Sequence, residues 1–91
     1  VSLAVRADRP GQGLGKRLLV GVLGGLRARG VRRVVVATGN SSLGPLALYQ
    51  KLGFRLHRIE RDAFTPERGY PEAVFEHGIR LRDKVWLDLA L

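Results

Sequence analysis

Asp8–Lys16 reads DRPGQGLGK, and the chain on either side of it changes period. Before it, Val1–Ala7 alternates: Val1, Leu3 and Val5 fall on one face, Ser2, Ala4 and Arg6 on the other. That is the pattern of a β-strand. After it, Leu14, Leu18, Val22 and Leu26, flanked by Leu19 and Leu23, form a helical apolar stripe. Gly11, Gly13 and Gly15 leave no side chain between the backbone and a ligand. A strand, a glycine-rich turn and a helix in that order aim backbone N–H groups at a helix N-terminus, where the dipole favours an anion. The stretch is therefore expected to hold a phosphate or pyrophosphate. A turn made only for tight packing is the alternative that this loop by itself leaves open.

Two familiar phosphate loops do not fit. Lys16 is followed by Arg17 rather than Ser or Thr, and the glycines are too tightly spaced for a Walker A loop. A dinucleotide GxGxxG needs glycine where Lys16 stands, and no acidic residue ends the second strand.

Gly30 is placed to end the first helix. Gly21, Gly24 and Gly25 lower its helix propensity and are expected to permit close packing on a sheet. Val34–Thr38 is a short β-branched run, expected to be a strand buried on both faces. Gly39–Gly44 (GNSSLG) is a polar loop, and Pro45 suits the first turn of a second helix that Gly53 ends. Phe54–Glu60 reads as a strand. Arg61–Gly78 reads as a long connection anchored by Phe64, Tyr70, Val74 and Phe75. Ile79–Leu91 ends in a strand in which Val85, Leu87, Leu89 and Leu91 alternate with Trp86, Asp88 and Ala90. The order is β-α-β-α-β-β, a single α/β domain over residues 1–91. Its first two strands are expected to be parallel through a right-handed crossover, and its last strands antiparallel.

The formal net charge is +8, from 16 Lys and Arg against 8 Asp and Glu. The basic residues are scattered, with no tract and no aromatic interleaving, so attraction of a polyanionic small ligand or simple solubility explains them better than nucleic acid does. With no cysteine there is neither a disulfide nor a thiolate metal site. His57, His77 and the carboxylates fit no metal-ligand spacing, so no metal is expected. No apolar run approaches the ~20 residues of a membrane span, and no signal-peptide pattern opens the chain. A cytoplasmic protein is the expectation.

A second stretch narrows the ligand. VVVATGNSSLGPLALYQKLGF sets an Asn/Ser loop after a strand, then a helix carrying Tyr49, then Gly53–Phe54. Together the two stretches resemble the Gcn5-related N-acetyltransferase family. DRPGQGLGK is similar to its acyl-CoA pyrophosphate loop, and Pro45–Phe54 (PLALYQKLGF) to its C-terminal helix motif. The tail YPEAVFEHGIRLRDKVWLDLAL also looks like a subgroup of these enzymes.

The resemblance implies a partial acyl-CoA N-acyltransferase fold with a mixed sheet, and acetyl-CoA as co-substrate. Backbone N–H groups around Gln12, Gly13, Leu14, Gly15 and Lys16 would hold the pyrophosphate. The edge of the first strand at Leu3, Ala4 and Val5 would pair with the pantetheine arm. Asn40 and Ser42 would contact the cofactor. Tyr49 would protonate the departing CoA thiolate, a task suited to a phenol that stays protonated at neutral pH. The acceptor would be a primary amine attacking the thioester directly.

Two departures stand out. Pro10 replaces the usual Gln or Arg and removes a possible N–H donor, and Pro45 replaces a small helical residue. Members of the family usually carry a further β-α-α-β-β portion ahead of the first strand seen here. The expectation is therefore a fragment, or a first-strand edge covered by a second copy in a homodimer. His57, Glu60, Asp62, Glu72, Glu76 and His77 are the candidates for a general base, with none favoured. A non-catalytic CoA-binding or dimerisation remnant is the second reading, and a basic nucleic-acid-associated domain the third.

Overall fold

A computed structural model describes residues 14–91. The strand expected over Val1–Ala7, the turn Asp8–Gly13 and the parallel pairing through the first crossover lie outside the described residues.

Helix α1 spans Leu14–Ala28, strand β1 Arg33–Gly39, helix α2 Leu43–Lys51 and strand β2 Arg55–Glu60. A 3₁₀ turn at Pro66–Arg68 leads to two short strands, β3 (Phe75–Glu76) and β4 (Ile79–Arg80), and β5 (Lys84–Ala90) closes the chain. β5 lies between β1 and β2 and is antiparallel to both. β3 and β4 form a separate hairpin. Among the described residues no helix is long and apolar enough to cross a membrane.

Both helices end in the same device. At the end of α1 the Gly30 N–H donates to the Arg27 carbonyl and the Val31 N–H to that of Leu26. At the end of α2 the Gly53 N–H donates to Gln50 and the Phe54 N–H to Tyr49. This double bond pattern needs a left-handed residue, and Gly30 (φ 85) and Gly53 (φ 101) supply it without a Cβ penalty. It turns the chain sharply, so that each helix packs back on the strand that follows. Pro45 sits in the first turn of α2, where a missing N–H costs no intrahelical bond.

The core lies on one face of the three-stranded sheet. Val34 and Val36 of β1 and Val85 and Leu87 of β5 share that face. Leu19 and Leu23 of α1, Tyr49 of α2 and Phe54 after it complete the cluster. Each fully buried aliphatic side chain there contributes about 1.5–3 kcal/mol of transfer free energy.

Several expectations change. Val35 is only half-buried while Val34 and Val36 are fully buried, so β1 has one core face rather than two. The buried stripe of α1 is Leu19–Leu23–Leu26, whereas Leu18 and Val22 are exposed. Among the described residues nothing lies within 4 Å of a Cβ added at Gly21, Gly24 or Gly25, so close packing does not explain them there. The Arg61–Gly78 connection is more structured than its composition suggested. Phe64 and Tyr70 do meet edge to face at 5.0 Å, but Phe75 is 62% exposed and stands outside the core formed by the described residues.

Candidate active site

β1 delivers its last residues to the N-terminus of α2, and a polar, hydrogen-bonded loop joins them. Asn40 is its hub. Its N–H donates to the Asp83 carbonyl at 2.9 Å, and its Nδ2 donates to the Arg80 carbonyl at 3.0 Å. Its Oδ1 accepts from the N–H groups of Arg82 and Asp83 at 2.8 and 3.0 Å. One amide side chain thereby serves as a backbone surrogate for the segment that connects β4 to β5. Gly39 makes room for that segment: a Cβ there would run into the end of the Leu81 side chain.

Ser41 is fully buried and Ser42 is the N-cap residue of α2. Both hydroxyls donate to the same acceptor, Oε1 of Glu76, at 3.0 Å each. Ser42 makes no capping bond to its own helix; the hydroxyl is spent on Glu76. The Glu76 carboxylate therefore sits beside the N-terminus of α2, whose first turn has no acidic residue of its own. The helix dipole favours negative charge there.

Tyr49 is two turns further along α2. Its side chain is 1% exposed, and its ring centroid lies 5.5 Å from that of Phe54. Burial pushes the phenol above its ordinary pKa, so it is a proton donor and not a phenolate at neutral pH. The ring is part of the hydrophobic core as well, so a packing role comes with any chemical one.

Gly15 and Lys16 lie exposed in the first turn of α1, which also has no acidic residue. The backbone of Leu14 opens that helix. Leu3, Ala4, Val5, Gln12 and Gly13 fall outside the described residues.

The candidate bases separate cleanly. Glu60 is bound to Arg68 at 2.7 Å, and that bond is the main cause holding its carboxyl below the usual range. His57 lies at a bulge in β2, with Nδ1 4.0 Å from Asp88 Oδ2. Asp62 has a left-handed backbone (φ 56) and donates its N–H to Asp83. His77 occupies the β3–β4 turn, and the Glu72 carbonyl accepts from Arg80. Among the described residues, Glu76 is the one of the six hydrogen-bonded to a predicted site residue, Ser42. Among the described residues no group of three His, Cys, Asp or Glu converges as a metal site.

An open cavity of about 410 Å³ lies elsewhere, lined by Arg32, Arg33, Arg55 and Asp88 among others. It is at the opposite end of β1. At about 3.3 Å per residue, the seven-residue strand puts it roughly 20 Å from Asn40.

Residues 1–54 match the sequence model of the acetyltransferase (GNAT) family. The chain belongs to that family. It is 41% identical over 91 residues to the uncharacterized N-acetyltransferase YvbK of Bacillus subtilis, covering 100% of this chain and 57% of that protein. Two solved structures share its fold. The IAA acetyltransferase of Bacillus cereus superposes with a TM-score of 0.82 at 37% identity, over 99% of this chain and 62% of that one. A GNAT acetyltransferase of Elizabethkingia anophelis, solved with acetyl-CoA bound, superposes with a TM-score of 0.80 at 34% identity, over 99% and 61%. The chain thus spans about three-fifths of the length of these GNAT relatives.

Sequence reasoning named Asn40 and Ser42 but passed over Ser41, and it gave Glu76 no preference. Ser41 carried a local signal, as a serine in the same polar loop. The pairing with Glu76 had none, because the partners are 34 and 35 residues apart.

Proposed function

We propose that the chain carries the acetyl-CoA site of an N-acetyltransferase and transfers the acetyl group to a primary amine. The observation that supports this most directly is the likeness to the E. anophelis enzyme, which binds acetyl-CoA and matches 99% of this chain. The glycine-rich loop running into α1 is the natural cradle for the pyrophosphate, with N–H groups of Gln12, Gly13, Leu14, Gly15 and Lys16 as donors. Leu3, Ala4 and Val5 would offer a strand edge to the pantetheine arm. Asn40 and Ser42 have their side chains committed to the 76–83 segment, so their part is to fix the carboxyl end of β1. Ligand contact from these positions falls mainly to the main chain.

The transfer needs few groups. The neutral amine attacks the thioester carbonyl, and a C–N bond forms. The tetrahedral intermediate collapses, the C–S bond breaks, and the proton lost by the nitrogen passes through water to restore the Tyr49 hydroxyl. The departing thiolate takes a proton from the Tyr49 hydroxyl, which burial keeps protonated.

Tyr49→Phe tests the assignment, because it keeps the ring and removes only the hydroxyl. Turnover should fall about 100-fold or more, with acetyl-CoA affinity and melting temperature nearly unchanged. Unchanged turnover would make Tyr49 a core residue only. Acetyl-CoA binding by the wild type with no turnover on any amine would instead mark a non-catalytic CoA module.

A further inference from the structure

Glu76 differs from the two carboxylates that take arginines and is held in another way. The chain has 16 Lys and Arg. Asp88 pairs with Arg33, and Glu60 with Arg68. Glu76 takes none of the described cations. Two neutral hydroxyls, Ser41 and Ser42, fill Oε1. The second oxygen, Oε2, has no hydrogen-bond or ion-pair partner among the described residues. The side chain is half-buried and held from below by a fully buried serine, so its direction is set before any ligand arrives. Arg80, the nearest guanidinium along the hairpin, points its Nη2 at the Glu72 carbonyl instead.

Two apolar residues neighbour Glu76 and its serine partners. Ile79 stands directly opposite Glu76 in the β3–β4 hairpin, hence on the same face, and is 38% exposed. Leu43, which follows Ser42, is 43% exposed. A fixed carboxylate oxygen with an apolar margin is complementary to a cation on a hydrophobic arm. Ser41, Ser42 and the N-terminus of α2 offset the cost of the half-buried charge, and Oε2 keeps its capacity for a charge-assisted hydrogen bond.

We propose that Glu76 is the acceptor-recognition residue of this acetyltransferase: Oε2 receives the ammonium group of a primary amine carried on an apolar arm, while Ser41 and Ser42 hold Oε1. The assignment rests on the acyl-transfer reading above and names the acceptor class for it. It concerns binding alone: the docked ammonium gives its proton to solvent before the neutral amine attacks, and no covalent bond forms at Glu76.

The test uses the full native protein loaded with acetyl-CoA, and two matched probe pairs: phenethylamine with 2-phenylethanol, and n-hexylamine with n-hexanol. The wild type should bind each amine more tightly than its alcohol. Glu76→Gln keeps an oxygen to accept from Ser41 and Ser42 and places an NH₂ where Oε2 was. It should weaken amine binding about tenfold or more and leave alcohol binding, acetyl-CoA affinity and melting temperature unchanged. Ile79→Lys, which builds an ammonium into the facing position, should block the amines in the same way. Equal amine and alcohol binding by the wild type would overturn the proposal. So would amine binding that survives both variants, or a loss of acetyl-CoA affinity and stability as large as the loss of amine binding. If the amines bind in this charge-dependent way but none is acetylated, acyl transfer fails and the Glu76 assignment stands. If amines are acetylated and Glu76→Gln leaves their KM unchanged, the assignment fails and acyl transfer stands.

Discussion

The two ends of β1 are both rich in polar groups, and they hold the chain by different means. At the carboxyl end, Asn40 makes four hydrogen bonds to a segment some forty residues away. Ser41 beside it is fully buried. At the amino end, Arg33 reaches Asp88 through Nη2 at 2.8 Å and Nε at 3.2 Å, with the two side chains 53% and 30% exposed. An amide that bonds several backbone groups of one segment at once leaves all of them without that partner when it is removed. A solvated ion pair is replaced by water at little cost. The strand is therefore fixed at the end that meets α2 and tolerant at the end that faces the open cavity. The fixed end also holds Glu76 and the start of α2, the helix that carries Tyr49, and a site is better placed on a rigid scaffold than on a mobile one.

The sharpest way to break the contrast is to remove the hub. Asn40→Ala deletes three side-chain hydrogen bonds and strands the N–H groups of Arg82 and Asp83. We expect a loss of about 2 kcal/mol, read as a lower urea midpoint with an unchanged slope. Asn40→Asp keeps an oxygen for both N–H donors and loses only the bond to Arg80, so it should cost clearly less. A drop in Asn40→Ala no larger than that of an exposed surface substitution would mean that water replaces the amide, and that the two ends of β1 are alike after all.

A smaller effect belongs to Gly39. Its added methyl meets the end of the Leu81 side chain, a flexible neighbour that can move, so Gly39→Ala should cost about 1 kcal/mol. Leu81→Ala in the same chain should relieve the clash, and the pair should be less destabilised than the sum of the singles. Strict additivity would show that Gly39 is small for a reason other than Leu81.

How much of this the sequence announced follows from how local each signal is. The helix ends were legible because Gly30 and Gly53 act within their own turns. The last strand was legible because Val85, Leu87 and their alternating neighbours repeat every two residues. Tyr49 was singled out through a motif contained in one helix. The face that α1 buries was not legible: Leu18 and Leu19 are equally apolar, and only the packing of the sheet selects Leu19. The β3–β4 hairpin was hidden inside a Pro- and Gly-rich connection. Its turn is nonetheless marked by His77–Gly78, both with positive φ (54 and 74), a pairing close in kind to the Asn-Gly of tight hairpins. The anchoring of Asn40 and Glu76 was out of reach, because each depends on a contact between distant segments that no local pattern encodes.

The smallest expected effect tests the tolerant end. Asp88 has its carboxyl held below the ordinary aspartate range, chiefly by the hydrogen bond from Arg33, then by the charges of Arg33, His57 and Arg55. A depressed carboxylate pKa stabilises the fold above the unfolded-state value, and that contribution is lost as pH falls through the folded-state value. The pair therefore acts at neutral pH and fades only on strong acidification. A carbon-detected NMR titration of the Asp88 carboxyl should show the depression in the wild type and its near-complete return to the ordinary range in Arg33→Ala. Melting temperature at neutral pH should change little, since the pair is half-exposed and screened. If the depression persists without Arg33, His57 and Arg55 are holding the carboxylate. The amino end of β1 would then be a charge network rather than one replaceable pair.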